Sequence, residues 1–213
     1  MASTLSRKIA RDRQMGSPLE NDELIAEGIV STLGGDGVPH FAPMGPLVSR
    51  DLETLTLRPY QTSTTYQNLR RTGEGVFHVT DDVLLLAQAA VGKLHPLPAW
   101  VPAAVVAGAI LLDCCRWLEF RVVELDDAAE RTTIRCQSVA QGRRRDFFGF
   151  NRAKHAVVEA AILATRVGIL PAEQIRVEME RLAIPVAKTA GEQERQAFAL
   201  LQNDVAERLR KLQ

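Results

Sequence analysis

The chain lacks the residue patterns that mark metal-binding and disulfide-rich proteins. Its 213 residues include three cysteines and four histidines, scattered along the chain except for the neighbours Cys114 and Cys115. No C-x-x-C motif and no cysteine–histidine spacing typical of zinc ligands is present. We therefore expect neither a metal site nor a disulfide framework. Unpaired cysteines are typical of reducing compartments, so we expect a cytoplasmic protein.

Long hydrophobic runs and an excess of one charge are also absent. The apolar segment at residues 100–112 is shorter than the roughly 18 residues that a membrane-spanning helix needs. Lysine plus arginine amount to 26 and aspartate plus glutamate to 26, so no net charge favours nucleic acid. We expect neither a membrane nor a nucleic acid as partner. The basic cluster at 143–154 still leaves nucleic-acid binding as an open alternative.

What the chain does contain is a series of short strand patterns followed by helical ones, with 46% hydrophobic residues. Glycines within residues 34–37 predict a hairpin turn, and "PMGP" at 43–46 is incompatible with a regular central strand. A helix is predicted after a cap at Asp81 or Asp82, and the three prolines within 93–102 predict a loop. From Asn151 onward, three segments have the periodicity of helices, the second of them at residues 171–183. Successive hairpins favour an antiparallel barrel, so we predict an α+β protein, mainly β, with a helical C-terminal extension.

We divide the chain into three parts on these patterns. Residues 1–22 form an N-terminal extension, residues 23–150 a β-barrel domain, and residues 151–213 a helical region packed on the barrel. The extension is basic, which leaves a transit peptide open beside the simpler interpretation of a frayed terminus.

The most informative stretch is a run of four hydroxyl residues, at positions 62–65, between a strand and a short helix. Ser63 or Thr64 is a suitable N-cap, and Gly73 is placed to end the helix. A helix N-terminus offers free N–H groups and partial positive charge, and Arg58 can add a charge-assisted contact. The pattern is compatible with an anion site. Ordinary helix capping beside a solvated arginine is the open alternative.

Three motifs together resemble a known family. They are "APMGP", "LRPYQTSTTYQNLRRTGEGVFHVTDD" and "FFGFNRAKHAVVEAAILATR", and the likeness extends from about residue 27 to 191. The chain resembles the uncharacterised DUF447 family and, more broadly, flavin-reductase-like proteins of the FMN-binding split-barrel superfamily. This resemblance implies a six-stranded antiparallel Greek-key barrel that forms a homodimer, with FMN near the subunit interface.

The resemblance also implies a cofactor site. Carried onto this chain, it places around the FMN phosphate the residues Arg58, Thr62, Thr64, Thr65 and Asn68. Ser63 belongs to the same hydroxyl run and completes the predicted phosphate-binding set. Backbone groups of Met44 and Gly45 are expected beside the flavin ring, with a simple strand kink as the alternative. His78 is interpreted as a buried structural histidine, with a side chain that faces the ligand as the alternative.

A second basic cluster lies at residues 143–155. Arg152 and Lys154 fall in the first turn of a helix capped by Asn151, where cations oppose the helix dipole. An anionic partner would offset that cost. We therefore predict Arg152, Lys154 and His155 as contacts to a substrate or a second subunit. A solvated basic turn is the alternative.

The function that the resemblance implies is that of an FMN-binding flavoprotein, an oxidoreductase of the flavin-reductase type acting on an unknown small molecule. Analogy with the family suggests a substrate linked to pterin-dependent one-carbon metabolism. No side chain stands out as a general acid or base, so no catalytic residue is assigned. A non-catalytic flavin binder and a ligand-free dimeric interaction module are the alternatives.

Overall fold

The structure is a computed structural model that describes residues 23–212. The predicted N-terminal extension at 1–22, and with it the question of a transit peptide, lies outside the described residues.

Ten strands form one large sheet and one separate hairpin. The sheet contains β1 (Glu23–Ile25), β2 (Gly28–Leu33), β3 (Pro39–Met44), β4 (Leu47–Ser49), β5 (Thr54–Leu57), β6 (Glu74–Val79), β9 (Arg116–Asp126) and β10 (Thr133–Arg143). The hairpin consists of β7 (Trp100–Pro102) and β8 (Ala109–Leu111). All pairings between these strands are antiparallel.

The large sheet closes into a six-stranded barrel. Its strand order is β1-β4-β5-β10-β9-β6-β2-β3. The two ends of this order are halves of one bent hairpin, because β1 continues into β2 and β3 continues into β4. A bond from the Ala26 N–H to the Pro46 carbonyl, 3.1 Å long, links the two halves at the bend. Counted by continuous strands, the Greek-key barrel predicted from the resemblance is confirmed.

The bend coincides with "PMGP", as its two prolines and glycine predict. Strand β3 ends at Met44 and β4 begins at Leu47, so residues 45–46 interrupt the ladder. A Cβ on Gly45 would lie 2.7 Å from Glu27 Oε1 and 2.8 Å from Ile25 Cγ2. A larger residue here would force these neighbouring side chains to move.

The barrel interior is filled by aliphatic and aromatic side chains, and helix α1 (Thr64–Thr72) packs against this cluster. Tyr66 and Leu69 of α1 are each 1% exposed and join Leu57, Phe77 and Phe120 in one cluster. Full burial of a large apolar side chain stabilises a fold by about 1.5–3 kcal/mol. Packing of this kind fixes the position of α1 on the barrel.

Four further helices cover one side of the barrel. They are α2 (Val83–Ala90), α3 (Arg152–Thr165), α4 (Ala172–Thr189) and α5 (Glu192–Lys211). Their core is continuous with Ile29 and Phe41 of the barrel strands. Buried alanines along α3, such as Ala156 and Ala160, allow its neighbours to approach closely.

Two local predictions were incomplete. Residues 93–102 were expected to be loop throughout, yet β7 begins at Trp100 and pairs with an unpredicted strand, β8. The helix expected over residues 171–183 continues to Thr189, past Pro185. Burial of Val186 against the helical core accompanies this continuation, so tertiary packing overrides the local cost of an internal proline.

Candidate functional site

Helix α1 has the capping that its sequence predicts. Ser63 is the N-cap, and its Oγ accepts a 3.2 Å hydrogen bond from the Tyr66 N–H. At the other end Gly73 adopts a left-handed φ of 67°, which favours glycine. The N–H groups of Thr64 and Thr65 meet no acceptor within residues 23–212. These groups leave the N-terminus of α1 available for an anion.

Arg58 directly follows β5 and precedes the N-cap Ser63 by five residues. It is exposed, and its guanidinium makes no hydrogen bond or ion pair with any residue that the structure describes. Thr62 and Thr64 are also exposed. We call Arg58, Thr62, Thr64 and the free N–H groups of α1 the α1 corner. It is a surface of hydrogen-bond donors with one uncompensated positive charge.

The other residues of the predicted phosphate-binding set face inward. Thr65 is 2% exposed and Asn68 is 6% exposed. The Asn68 Nδ2 donates a 3.0 Å hydrogen bond to Thr32 Oγ1 on β2. Asn68 therefore attaches α1 to the barrel, while Ser63 is engaged in the cap.

Met44 and Gly45 lie at the same end of the barrel as Arg58. In the β4–β5 ladder Leu47 is opposite Thr56, and the corner at Gly45 and the strand end at Arg58 both lie two residues beyond that pair. The Met44 side chain is half-buried and packs against the barrel core. Gly45 is exposed.

The three arginines at 143–145 of the second basic cluster are engaged within the fold. Arg145 Nη2 lies 2.6 Å from Asp81 Oδ1, and its Nε lies 2.6 Å from Asp113 Oδ1. Arg143 pairs with Asp146. Arg144 lies over the Trp117 ring, with its guanidinium carbon 5.2 Å from the ring centroid. The sequence could not show these partners, because three of them come from distant segments or opposite strands.

Asp81 is the centre of this network. It is 6% exposed, and its Oδ2 also accepts a 2.8 Å hydrogen bond from the Phe148 N–H. Burial raises the pKa of this carboxyl, but the bonds from Arg145 and Phe148 lower it by more, so the pKa lies below its ordinary value. Asp81 is therefore held as a charged anchor for the chain that links barrel and helices.

Lys154 is also engaged within the protein. Its Nζ lies 2.9 Å from Glu194 Oε1 of α5 and donates a 2.6 Å hydrogen bond to the Asp81 carbonyl. Sequence reasoning missed Glu194, which only folding brings to α3. Together Asp81, Arg145, Lys154 and Glu194 form what we call the barrel–helix seam.

Arg152 and His155, predicted with Lys154 as substrate or second-subunit contacts, are exposed on α3. The His155 ring meets the edge of Phe150, with ring centroids 5.8 Å apart. Phe148 and Phe150 are 79% and 95% exposed. This part of α3 therefore presents aromatic and polar groups together.

Burial shifts the pKa values of one histidine and two cysteines in the barrel and its surroundings. Burial lowers the pKa of His78 to about 4, and its ring bridges the Ile29 carbonyl and the Leu111 N–H. Burial raises the pKa of Cys114 to about 11 and of Cys136 to about 12. His78 is thus a structural histidine, as predicted.

Metal-binding and membrane-spanning features were sought in the same residues. Within residues 23–212, no group of three or more His, Cys, Asp or Glu is placed to hold a metal ion. Over the same range, no helix combines the length and apolarity that crossing a membrane requires.

Comparison with solved structures shows which fold this is. A crystal structure of an FMN-bound DUF447 protein from Methanosarcina mazei is similar with a TM-score of 0.74 and 22% identity, over 85% of this chain and 95% of that one. The 2-nitrobenzoate 2-nitroreductase of Pseudomonas fluorescens is similar with a TM-score of 0.50 and 14% identity, over 66% of this chain and 73% of that one. The fold is an FMN-binding split barrel with C-terminal helices.

Family models give the family. No curated protein matches the sequence. The model of the N-terminal domain of DUF447, a protein of unknown function, matches residues 26–145, and the model of DUF447 matches residues 151–203. The chain belongs to the DUF447 family.

Proposed function

We propose that this protein binds FMN, with the phosphate at the α1 corner and the ring beside residues 44–45. The observation that carries the proposal is that the Arg58 guanidinium and the first N–H groups of α1, a few residues apart in the chain, all lack partners within residues 23–212. The similar M. mazei protein of the same family is described as FMN-bound, which supports the same cofactor here.

The residues present fit a phosphate group. Arg58 can donate two parallel hydrogen bonds, and the N–H groups of Thr64 and Thr65 together with the Thr62 and Thr64 hydroxyls can donate more. Thr65 and Asn68 support this surface from below by holding α1 on the barrel. Within the predicted set, the direct contacts would therefore come from Arg58, Thr62 and Thr64. Ser63 would act indirectly, as the N-cap that fixes the first turn of α1.

An oxidoreductase is the activity that we infer for the bound cofactor. FMN supplies hydride or single-electron transfer when bound, while the protein supplies binding, orientation and electrostatics. The backbone of Met44 and Gly45 would orient the ring, and the bend in the barrel leaves Gly45 exposed for that contact. The proposal includes a small organic substrate and an electron donor, and it identifies neither of them.

We also propose that the protein forms a homodimer and that it is cytoplasmic. Within each copy, the barrel domain would end at residue 150, where the helical region begins. Leu24 and Ile25, next to Gly45, are 44% and 56% exposed and offer an apolar surface for a second copy. The three cysteines are unpaired and buried, as suits a reducing compartment. Nucleic acid is not proposed as a partner, because the arginines at 143–145 are engaged within the fold.

A non-catalytic flavin carrier is the second candidate. The predicted cofactor-binding residues include no side chain that ordinarily exchanges a proton near neutral pH, and this favours a carrier. NADH or NADPH added to the FMN-loaded protein in the absence of oxygen separates the two. Bleaching of the flavin band indicates a reductase, and an unchanged spectrum with both nucleotides indicates a carrier.

The test of the site is FMN titration of Arg58→Ala, followed by flavin fluorescence. Loss of a charge-assisted contact predicts an affinity roughly 10- to 100-fold lower, with an unchanged melting temperature because Arg58 is exposed. Arg176→Ala, an exposed arginine on α4, is the matched control. Equal affinities for the two variants would contradict the phosphate assignment, and wild-type protein that ignores FMN would contradict the function.

A further inference from the structure

A cavity of about 260 Å³ opens between the barrel, α3 and the chain at 147–149. Its polar lining includes Glu27, Thr80, Lys154, His155 and Glu159, and we call it the Glu27 cavity. A second cavity of about 410 Å³ adjoins it and shares His155 and Glu159. Each of the two cavities is of a size that suits a ring-sized molecule.

The charges in the Glu27 cavity do not cancel. Asp81 is held by Arg145, and Lys154 is held by Glu194. The carboxylates of Glu27 and Glu159 have no hydrogen bond or ion pair with any residue in the described part of the chain. Partial burial and the charge of Glu159 both raise the pKa of Glu27. The two carboxylates therefore face the same space and lack a positive partner there.

The cavity also has a buried polar end and apolar walls. Thr80 is only 9% exposed, and its Oγ1 accepts a 3.1 Å hydrogen bond from the Asp82 N–H. Its hydroxyl hydrogen has no acceptor within residues 23–212. Val83, Val158 and Phe147 line the sides. An occupant would meet apolar surface around its body and polar groups at two ends.

The Glu27 cavity touches the bend of the barrel. A Cβ placed on Gly45 would lie 2.7 Å from Glu27 Oε1, so this carboxylate is a neighbour of the residue beside which we place the flavin ring. A molecule bound against Glu27 would thus lie next to the proposed cofactor site.

We propose that the Glu27 cavity is the substrate pocket, and that it takes a compact ring compound presenting a positive charge or a pair of N–H donors to Glu27 and Glu159. A carboxylate accepts two parallel hydrogen bonds from an amidine-like edge, and the apolar walls suit a flat body. Anionic compounds of the same size are disfavoured by the two carboxylates. This inference rests on the proposed FMN site for its role, but not for its binding chemistry.

The experiment compares two flat probes of equal size and opposite charge, benzamidine and benzoate. Each is titrated into the full-length protein, without and with FMN, and binding is followed by calorimetry. Benzamidine is expected to bind and benzoate is not. Glu159→Gln and Glu27→Gln, which keep the side-chain shape, are expected to weaken benzamidine roughly tenfold. Glu180→Gln, an exposed glutamate on α4, should bind like wild type.

Benzoate binding as tightly as benzamidine would overturn the proposal, and so would unchanged affinity in both glutamate variants. Melting temperatures of the variants show whether a loss of binding reflects unfolding. If FMN binds and benzamidine does not, only this inference fails. If benzamidine binds with the expected dependence on the glutamates and FMN does not bind, the pocket stands as a binding site and the flavin function fails. Benzamidine added to FMN-loaded wild type is expected to shift the flavin absorption band. The same shift should be absent in Glu27→Gln, and this difference would support contact between the two sites.

Discussion

Arg58 and Arg145 illustrate two outcomes of one sequence feature, an arginine a few residues before a helix N-terminus. At the α1 corner Arg58 meets no carboxylate, and its charge remains available to a ligand. At the barrel–helix seam Arg145 is paired with Asp81 and Asp113, at 2.6 Å in both cases. The comparison shows that a basic cluster indicates a binding site only where the fold leaves its charge uncompensated.

The difference has a physical origin in burial. The seam joins two hydrophobic clusters, so a charge there is removed from water and needs an opposite charge nearby. Asp81 is 6% exposed and Glu194 is also 6% exposed, and each has a cationic partner. At the α1 corner water solvates Arg58, which can exchange that water for an anion at little cost.

The largest effect is expected from breaking the seam with Asp81→Ala. This change removes the buried partner of Arg145 and the acceptor of the Phe148 N–H, and should lower the free energy of unfolding by about 3 kcal/mol. Urea denaturation measures it. Asp146→Ala is the control, because its pair with Arg143 is exposed and should contribute at most about 0.5 kcal/mol. Equal destabilisation by both changes would contradict the contrast between buried and exposed charges.

A second prediction concerns protonation of the buried His78 side chain, which would place a positive charge in the protein interior. Its pKa is about 4 in the fold against 6.5 as the ordinary value, so the unfolded chain binds more protons between these pH values. Stability should therefore fall as the pH drops from 6.5 to 4, by roughly 3 kcal/mol from this group. Urea denaturation at several pH values measures the slope.

His78→Gln should flatten that slope while lowering stability at neutral pH, since the bridge between the Ile29 carbonyl and the Leu111 N–H is altered. His95→Gln, at an exposed position, should leave the slope as it is in wild type. An unchanged slope in His78→Gln would show that other groups cause the acid sensitivity.

The smallest effect is expected from Arg58→Lys, which keeps the charge of the α1 corner but removes the planar, two-pronged donor. FMN affinity should fall about fivefold, less than in Arg58→Ala, because a lysine acts on phosphate as a point charge. Fluorescence titration at low and high salt measures it. An affinity as low as that of Arg58→Ala would mean that geometry, rather than charge, dominates the contact.

Local features of the fold were readable from the sequence. The cap at Ser63, the left-handed Gly73 and the N-cap at Asp82 follow from backbone hydrogen bonding within a few residues. The break at "PMGP" follows from the missing proline N–H groups. Strand β8 was missed because its apolar residues are too few to distinguish a strand from a buried loop.

The residues of the candidate sites were predictable as a group but not in their individual orientations. Helical periodicity could not show that Asn68 turns toward Thr32 while Thr64 stays exposed, because that depends on where the barrel lies against α1. Glu27 was not predicted at all. Its significance arises from Gly45 and Glu159, which are distant from it in sequence.

The sequence by itself determined the order of the helices and of the strands other than β7 and β8. It also determined the capping of α1, the bend at residues 45–46 and the membership in DUF447, since these depend on local backbone chemistry and on motif spacing. Only the tertiary structure decided which charges are available. Arg145 and Lys154 are compensated, whereas Arg58, Glu27 and Glu159 are not, within the residues described. The reason is that electrostatic pairing acts over a few ångströms in space, and folding sets which distant residues come that close.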